Sequence, residues 1–124
     1  MNTHAKINYI EFQTNDLLKT KRFFTDVLRW EFVDYGPAYS SFSNAGIDGG
    51  FYTSSKSAAT KNGSPLVVMF SDDLEDTQRS VEQAGGTVVK DIFEFPGGRR
   101  FHFTEPGGNE LAFWSNVADD PAPL

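Results

Sequence analysis

Few side chains in this sequence are suited to chemistry. Of its two histidines, His4 lies outside the patterned region and His102 lies within it. An imidazole titrates near neutrality, so His102 could shuttle a proton or donate a hydrogen bond. Glu11 could act as a base if a dry setting raised its pKa. Arg100, half of the Arg99-Arg100 pair, could receive one acidic group. Tyr9, Tyr39, Tyr52 and Trp114 combine a flat ring with a polar handle. Each residue also has a structural reading. His102 could be a hydrogen-bonded histidine without a chemical role, and Glu11 could simply be hydrated. Glu110 could pair with Arg100 across neighbouring strands. Tyr9 could fill space with its ring, and Trp114 could be core. Cysteine is absent, which excludes thiol nucleophiles, thiolate metal sites and disulfides.

The elements that must position these residues are legible as a repeat. Ile7–Gln13 alternates as a strand, with Ile7, Tyr9, Glu11 and Gln13 on one face. Asn15 and Asp16 supply caps for a helix to about Arg29, with Leu17, Phe24, Val27 and Leu28 as its apolar stripe. Short strands follow at Glu31–Asp34, Tyr39–Ser43 and Asp48–Thr53, broken by turn residues. The segment SSKSAATKNGSP is small and polar and reads as a mobile linker. The order then restarts: a strand at Leu66–Ser71, a capped helix at Asp73–Ala84, and strands near Thr87–Lys90, Arg99–Thr104 and Asn109–Ser115. The spacing from Asp16 to Trp30 equals that from Asp72 to Gly86. The expected organisation is one α+β domain of two βαβββ modules, 7–54 and 66–115. A linker at 55–65 joins them, and a loose tail follows at 116–124. Two such modules can curve their helix-free faces into a shared trough, a natural ligand site.

Composition narrows the partners. The 124 residues carry a net charge of −6 with scattered basic residues, which argues against nucleic acid. No apolar run reaches the length of a membrane span or a signal peptide, so the expected location is cytoplasmic. The 12 phenylalanines imply an aromatic core, a ring-lined cavity, or both.

The stretches IEFQTNDLLKTKRFFTDVLRWEF, FSDDLEDTQRSVEQAGG and FHFTEPGGNELAFWS resemble the vicinal oxygen chelate superfamily, which includes glyoxalase I, extradiol dioxygenases and bleomycin-resistance proteins. The Glu105-Pro106-Gly107-Gly108-Asn109 turn is the most specific of these. The resemblance implies a divalent metal held by His, Glu or Gln at four strand positions. Here those positions hold Tyr9, Gly50, Leu66 and Ala112, so no metal and no cofactor are expected. It also implies that Tyr9, Glu11, Arg100, His102, Glu110 and Trp114 face the trough, with Tyr39 and Tyr52 as further lining. Phe101 and Phe103 then face the helix.

Two functions follow as expectations. The first is binding of a small aromatic or flat molecule, of the sequestration or resistance type, with the acidic balance suiting a cationic ligand. The second is a metal-independent lyase or isomerase using Glu11 and His102 as acid–base groups. The resemblance also implies a homodimer.

Overall fold

The computed structural model describes residues 2–116. Module one contains β1 (Tyr9–Thr14), α1 (Leu17–Leu28), β2 (Glu31–Asp34), β3 (Tyr39–Ser43) and β4 (Asp48–Thr53). Module two contains β5 (Val67–Phe70), α2 (Leu74–Gln83), β6 (Thr87–Phe95), β7 (Gly98–Thr104) and β8 (Glu110–Asn116). Each module forms a four-stranded mixed sheet, in the orders β1-β4-β3-β2 and β5-β8-β7-β6. The first strand of each sheet pairs parallel with the last, and the remaining pairs are antiparallel. The repeat read from the sequence is therefore the architecture. Among the described residues, no helix is long and apolar enough to cross a membrane.

Local chemistry starts both helices in the same way. The Asp16 side chain accepts from the Lys19 N–H at 3.1 Å, and Asp73 accepts from the Asp76 N–H at 3.2 Å. Alternation then sends one side of each sheet to its helix. Phe12, Phe42 and Phe51 face α1, where Phe24 stacks on Trp30 at 4.4 Å and on Phe51 at 5.4 Å. Phe101, Phe103, Leu111 and Phe113 form the matching layer in module two, as alternation predicts. Phe23 of α1 meets Phe103 of β7 at 5.7 Å, so one aromatic core runs through both modules.

Most boundaries shift by one or two residues from the sequence reading, as in β1, which is Tyr9–Thr14 rather than Ile7–Gln13, and β5, which is Val67–Phe70 rather than Leu66–Ser71. Strand β6 continues to Phe95 rather than ending near Lys90, because two register slips against β7 interrupt its alternation. Asn116, expected to open the tail, is the last residue of β8. The rest of the expected tail, 117–124, lies outside the described residues.

Candidate functional site

The modules are locked together by the Glu105–Asn109 turn. Glu105 is 2% exposed, and its carboxylate accepts four hydrogen bonds. These come from the Thr20 hydroxyl (2.8 Å), the Gly107 N–H (2.6 Å), the Asn109 N–H (3.3 Å) and the Asn109 carboxamide (2.7 Å). The same carboxamide donates to the Gln13 carbonyl in β1 at 2.8 Å and accepts from the Ala58 N–H at 2.8 Å. Burial pushes the Glu105 carboxyl above its ordinary pKa, against the pull of these four donors. The signature turn is thus a clasp between module two, module one and the linker. It fixes how the helix-free faces of the two sheets sit.

The helix-free face of sheet one is polar and self-satisfied. Alternation and register put Tyr9, Glu11 and Gln13 of β1 beside Gly50 and Tyr52 of β4 and Tyr39 of β3. Tyr39 donates its hydroxyl proton to Glu11 at 3.2 Å and bonds the Tyr9 hydroxyl. Both hydroxyls lie over Gly50, where a Cβ atom would collide with them. Burial and the neighbouring Tyr9 and Glu11 hold the Tyr39 phenol above its usual pKa. Gln13 donates to the Tyr52 hydroxyl at 2.5 Å. A cleft of about 270 Å³ lies between Glu11, Gln13 and Tyr52 on one side and Ser57, Ala58, Ser64 and Pro65 of the linker on the other.

The helix-free face of sheet two is built differently. It carries Val68 and Phe70 of β5, Glu110, Ala112 and Trp114 of β8, Arg100 and His102 of β7, and Lys90, Phe93 and Phe95 of β6. Trp114 meets Phe70 edge-on at 5.1 Å and Phe95 at 6.4 Å. The Arg100 guanidinium lies 5.3 Å from the Phe93 ring and 5.5 Å from the Phe95 ring, and Lys90 Nζ lies 4.2 Å from Phe93. His102 Nδ1 faces Glu110 Oε2 at 3.6 Å. The other Glu110 oxygen accepts from the Thr60 N–H (2.7 Å) and hydroxyl (2.9 Å). Burial, the Arg100 charge and Lys90 push the His102 pKa below its usual value, and Glu110 opposes them. Burial pushes Glu110 up, but the Thr60 and His102 bonds outweigh it and leave the carboxyl below its ordinary value. Among the described residues, Arg100 Nε and His102 Nε2 are buried with no hydrogen-bond partner. A cleft of about 440 Å³ at the β5 edge is lined mostly by core-side residues, among them Ile10, Trp30, Phe42, Met69 and Phe113, and touches this face only through Val68 and Phe70.

These placements revise several pairings. Glu110 does not pair with Arg100: its neighbour across the ladder is Thr104, while Arg100 lies opposite Trp114. Arg99 and Arg100 point to opposite faces, and Arg99 forms a fork with Glu75 of α2 at 2.6 and 3.1 Å. His102 and Glu110 are brought together, and so are Tyr9, Glu11 and Tyr39. Glu11 and His102 belong to separate networks in separate sheets. The sequence reading did not include Thr60, Lys90, Phe70, Phe93 or Phe95. Phe93 and Phe95 lie where the strand slips register, and Thr60 sits in a 3-10 turn (Thr60–Asn62) inside a segment without periodicity.

The sequence profile of the Glyoxalase/Bleomycin resistance protein/Dioxygenase superfamily matches residues 6–113. The chain belongs to this superfamily. Its fold is that of a glyoxalase/bleomycin resistance protein/dioxygenase family enzyme from Burkholderia phytofirmans (TM-score 0.75, 14% identity, 91% of this chain and 100% of that one). It is also similar to a glyoxalase-related enzyme from Fulvimarina pelagi (0.73, 17%, 97% and 98%) and to a lactoylglutathione lyase from Agrobacterium tumefaciens (0.69, 17%, 91% and 95%). At these identities the likeness is one of fold. Comparison with curated proteins gives no match.

Members of the superfamily that use a divalent ion need oxygen or imidazole donors at the four strand positions. The residues present do not fit one. The Tyr9 hydroxyl is engaged with Tyr39, and the two hydroxyls take the space over Gly50. Leu66 and Ala112 are hydrocarbon, and Ala112 is fully buried. Among the described residues, no group of three or more His, Cys, Asp or Glu could hold a metal ion.

Proposed function

We propose that this superfamily member binds a small, flat, aromatic molecule without a metal, as a sequestration or resistance protein does. One observation carries the reading: Phe70, Phe93, Phe95 and Trp114 converge on the face of sheet two turned away from α2. Rings gathered on a helix-free face make a stacking platform, and its Phe70 end reaches the rim of the cleft of about 440 Å³. The competing acid–base reading with Glu11 and His102 has less support, because each is engaged by a partner within its own sheet. A homodimer fits the same surface. Val68 and Phe70 are 39% and 52% exposed, and a second copy could cover them.

A thermal-shift panel of planar aromatics tests the proposal. Binding at a hundredfold excess over Kd adds about 2.7 kcal/mol, so the melting temperature should rise by several degrees. Trp114→Ala should abolish the rise. A panel in which no planar aromatic moves the transition overturns the proposal. Light scattering on the same samples reads the mass, and a monomer at micromolar concentration overturns the dimer.

A further inference from the structure

We infer that the ligand is an aromatic anion, with its ring against Trp114 and Phe70 and its charged head, carboxylate-like, between Arg100 and His102. This inference rests on the aromatic-binding proposal and names the chemical class it admits. Buried polar nitrogens in folded proteins are nearly always hydrogen-bonded, so orphaned ones mark a missing partner. Two of them, Arg100 Nε and His102 Nε2, lie two residues apart on the same face of β7. One group with two acceptor oxygens would satisfy both.

The charges agree. Arg100 and Lys90 flank His102, and among the described residues no carboxylate lies within 4.0 Å of either cation. Among the described residues the one carboxylate at the site, Glu110, is already committed to Thr60 and to the far side of the imidazole. The local balance is therefore cationic, although the chain as a whole is acidic. The overall charge suggests a cationic ligand; the site favours the opposite sign. The rings add a second constraint: a planar body can pack on the edge-on pair Trp114 and Phe70 while its head reaches β7. Neither orphaned nitrogen touches solvent, so entry displaces Phe93, which rests over Arg100 from the strand with slipped register.

Proton uptake should accompany binding. His102 is faced by Glu110 from β8, Lys90 from β6 and Arg100 from its own strand. Without an anion, two cations and burial oppose its protonation. With one in place, the imidazolium gains a counter-charge and Nε2 becomes a donor.

Isothermal titration of the full chain with 2-naphthoate and with its neutral isostere 2-naphthamide tests the inference. Naphthoate should bind at least about tenfold more tightly. Arg100→Gln should erase that preference, and its far-UV circular dichroism and melting temperature report that the variant is folded. Naphthoate affinity should rise as pH falls through the histidine range, and His102→Gln should flatten the profile. If naphthamide binds as well as naphthoate, or Arg100→Gln keeps the preference, the anion inference is overturned and the aromatic site stands. If neither compound binds, both readings fall.

Discussion

Two regions bury polar groups, and they do so in opposite ways. At the clasp, Glu105 is almost fully buried and surrounded by four donors. On the helix-free face of sheet two, Arg100 Nε and His102 Nε2 are buried with none among the described residues. A buried polar group that is saturated with partners rigidifies the fold, whereas one left unsatisfied costs stability. The first arrangement belongs to structure. The second is what a protein tolerates where something else is meant to bind. The same division separates the two helix-free faces: the tyrosines of sheet one satisfy one another, and the cations of sheet two do not.

The largest effect should come from breaking the saturated region. A Cβ atom on Gly107 would collide with the Thr14 and Thr20 hydroxyls, both fully buried. Gly107→Ala should therefore cost about 3 kcal/mol and lower the melting temperature by roughly 10 °C. Gly36→Ala is the control. It has a positive φ of 82° and no neighbour within 4 Å, so it should lose only about 1 kcal/mol. Equal losses for the two variants would show that the clasp is not tightly packed.

A smaller effect should appear on the acid side. The folded-state pKa values of His102 and Glu110 lie below their ordinary values. A depressed pKa contributes stability that is present above the unfolded value and lost as pH falls through the folded one. The melting temperature should therefore decline below about pH 6.5 as His102 is forced to charge, and further below about pH 4.5 through Glu110. Glu105 acts in the opposite sense: its raised pKa contributes stability below about pH 4.5 that is lost as pH rises through its folded value. His102→Gln should remove the first decline and leave the second. A variant profile that overlays the wild type would separate His102 from the acid transition.

The sequence makes the repeat, the helix caps and the core faces legible, because each is a local pattern: aspartate before an apolar stripe, alternation in β1 and β7, glycines at turns. The face of each candidate residue on β1, β7 and β8 is legible for the same reason. Their partners are not. Glu110 is held by Thr60, fifty residues away in a segment with no periodic signal. Phe93 and Phe95 join the ring frame only because β6 slips register twice. The clasp shows the same limit from the other side. The Glu105–Asn109 turn stands out in the sequence, but its contacts with Thr20, Gln13 and Ala58 are set by tertiary packing.

The smallest expected effect sharpens the contrast most. Arg100→Met keeps the apolar stem and removes the guanidinium. What is lost is weak: the ring contacts at 5.3 and 5.5 Å are worth about 0.5–1 kcal/mol together. What is gained is relief from a buried N–H without a partner, a penalty of about 1–3 kcal/mol. The two should nearly cancel, leaving the urea midpoint unchanged or slightly raised. A functional residue that stability does not need is the usual sign of a site kept for binding. If Arg100→Met destabilises the chain as much as Gly107→Ala, Arg100 belongs to the structural side of the comparison, and the anion must be sought elsewhere.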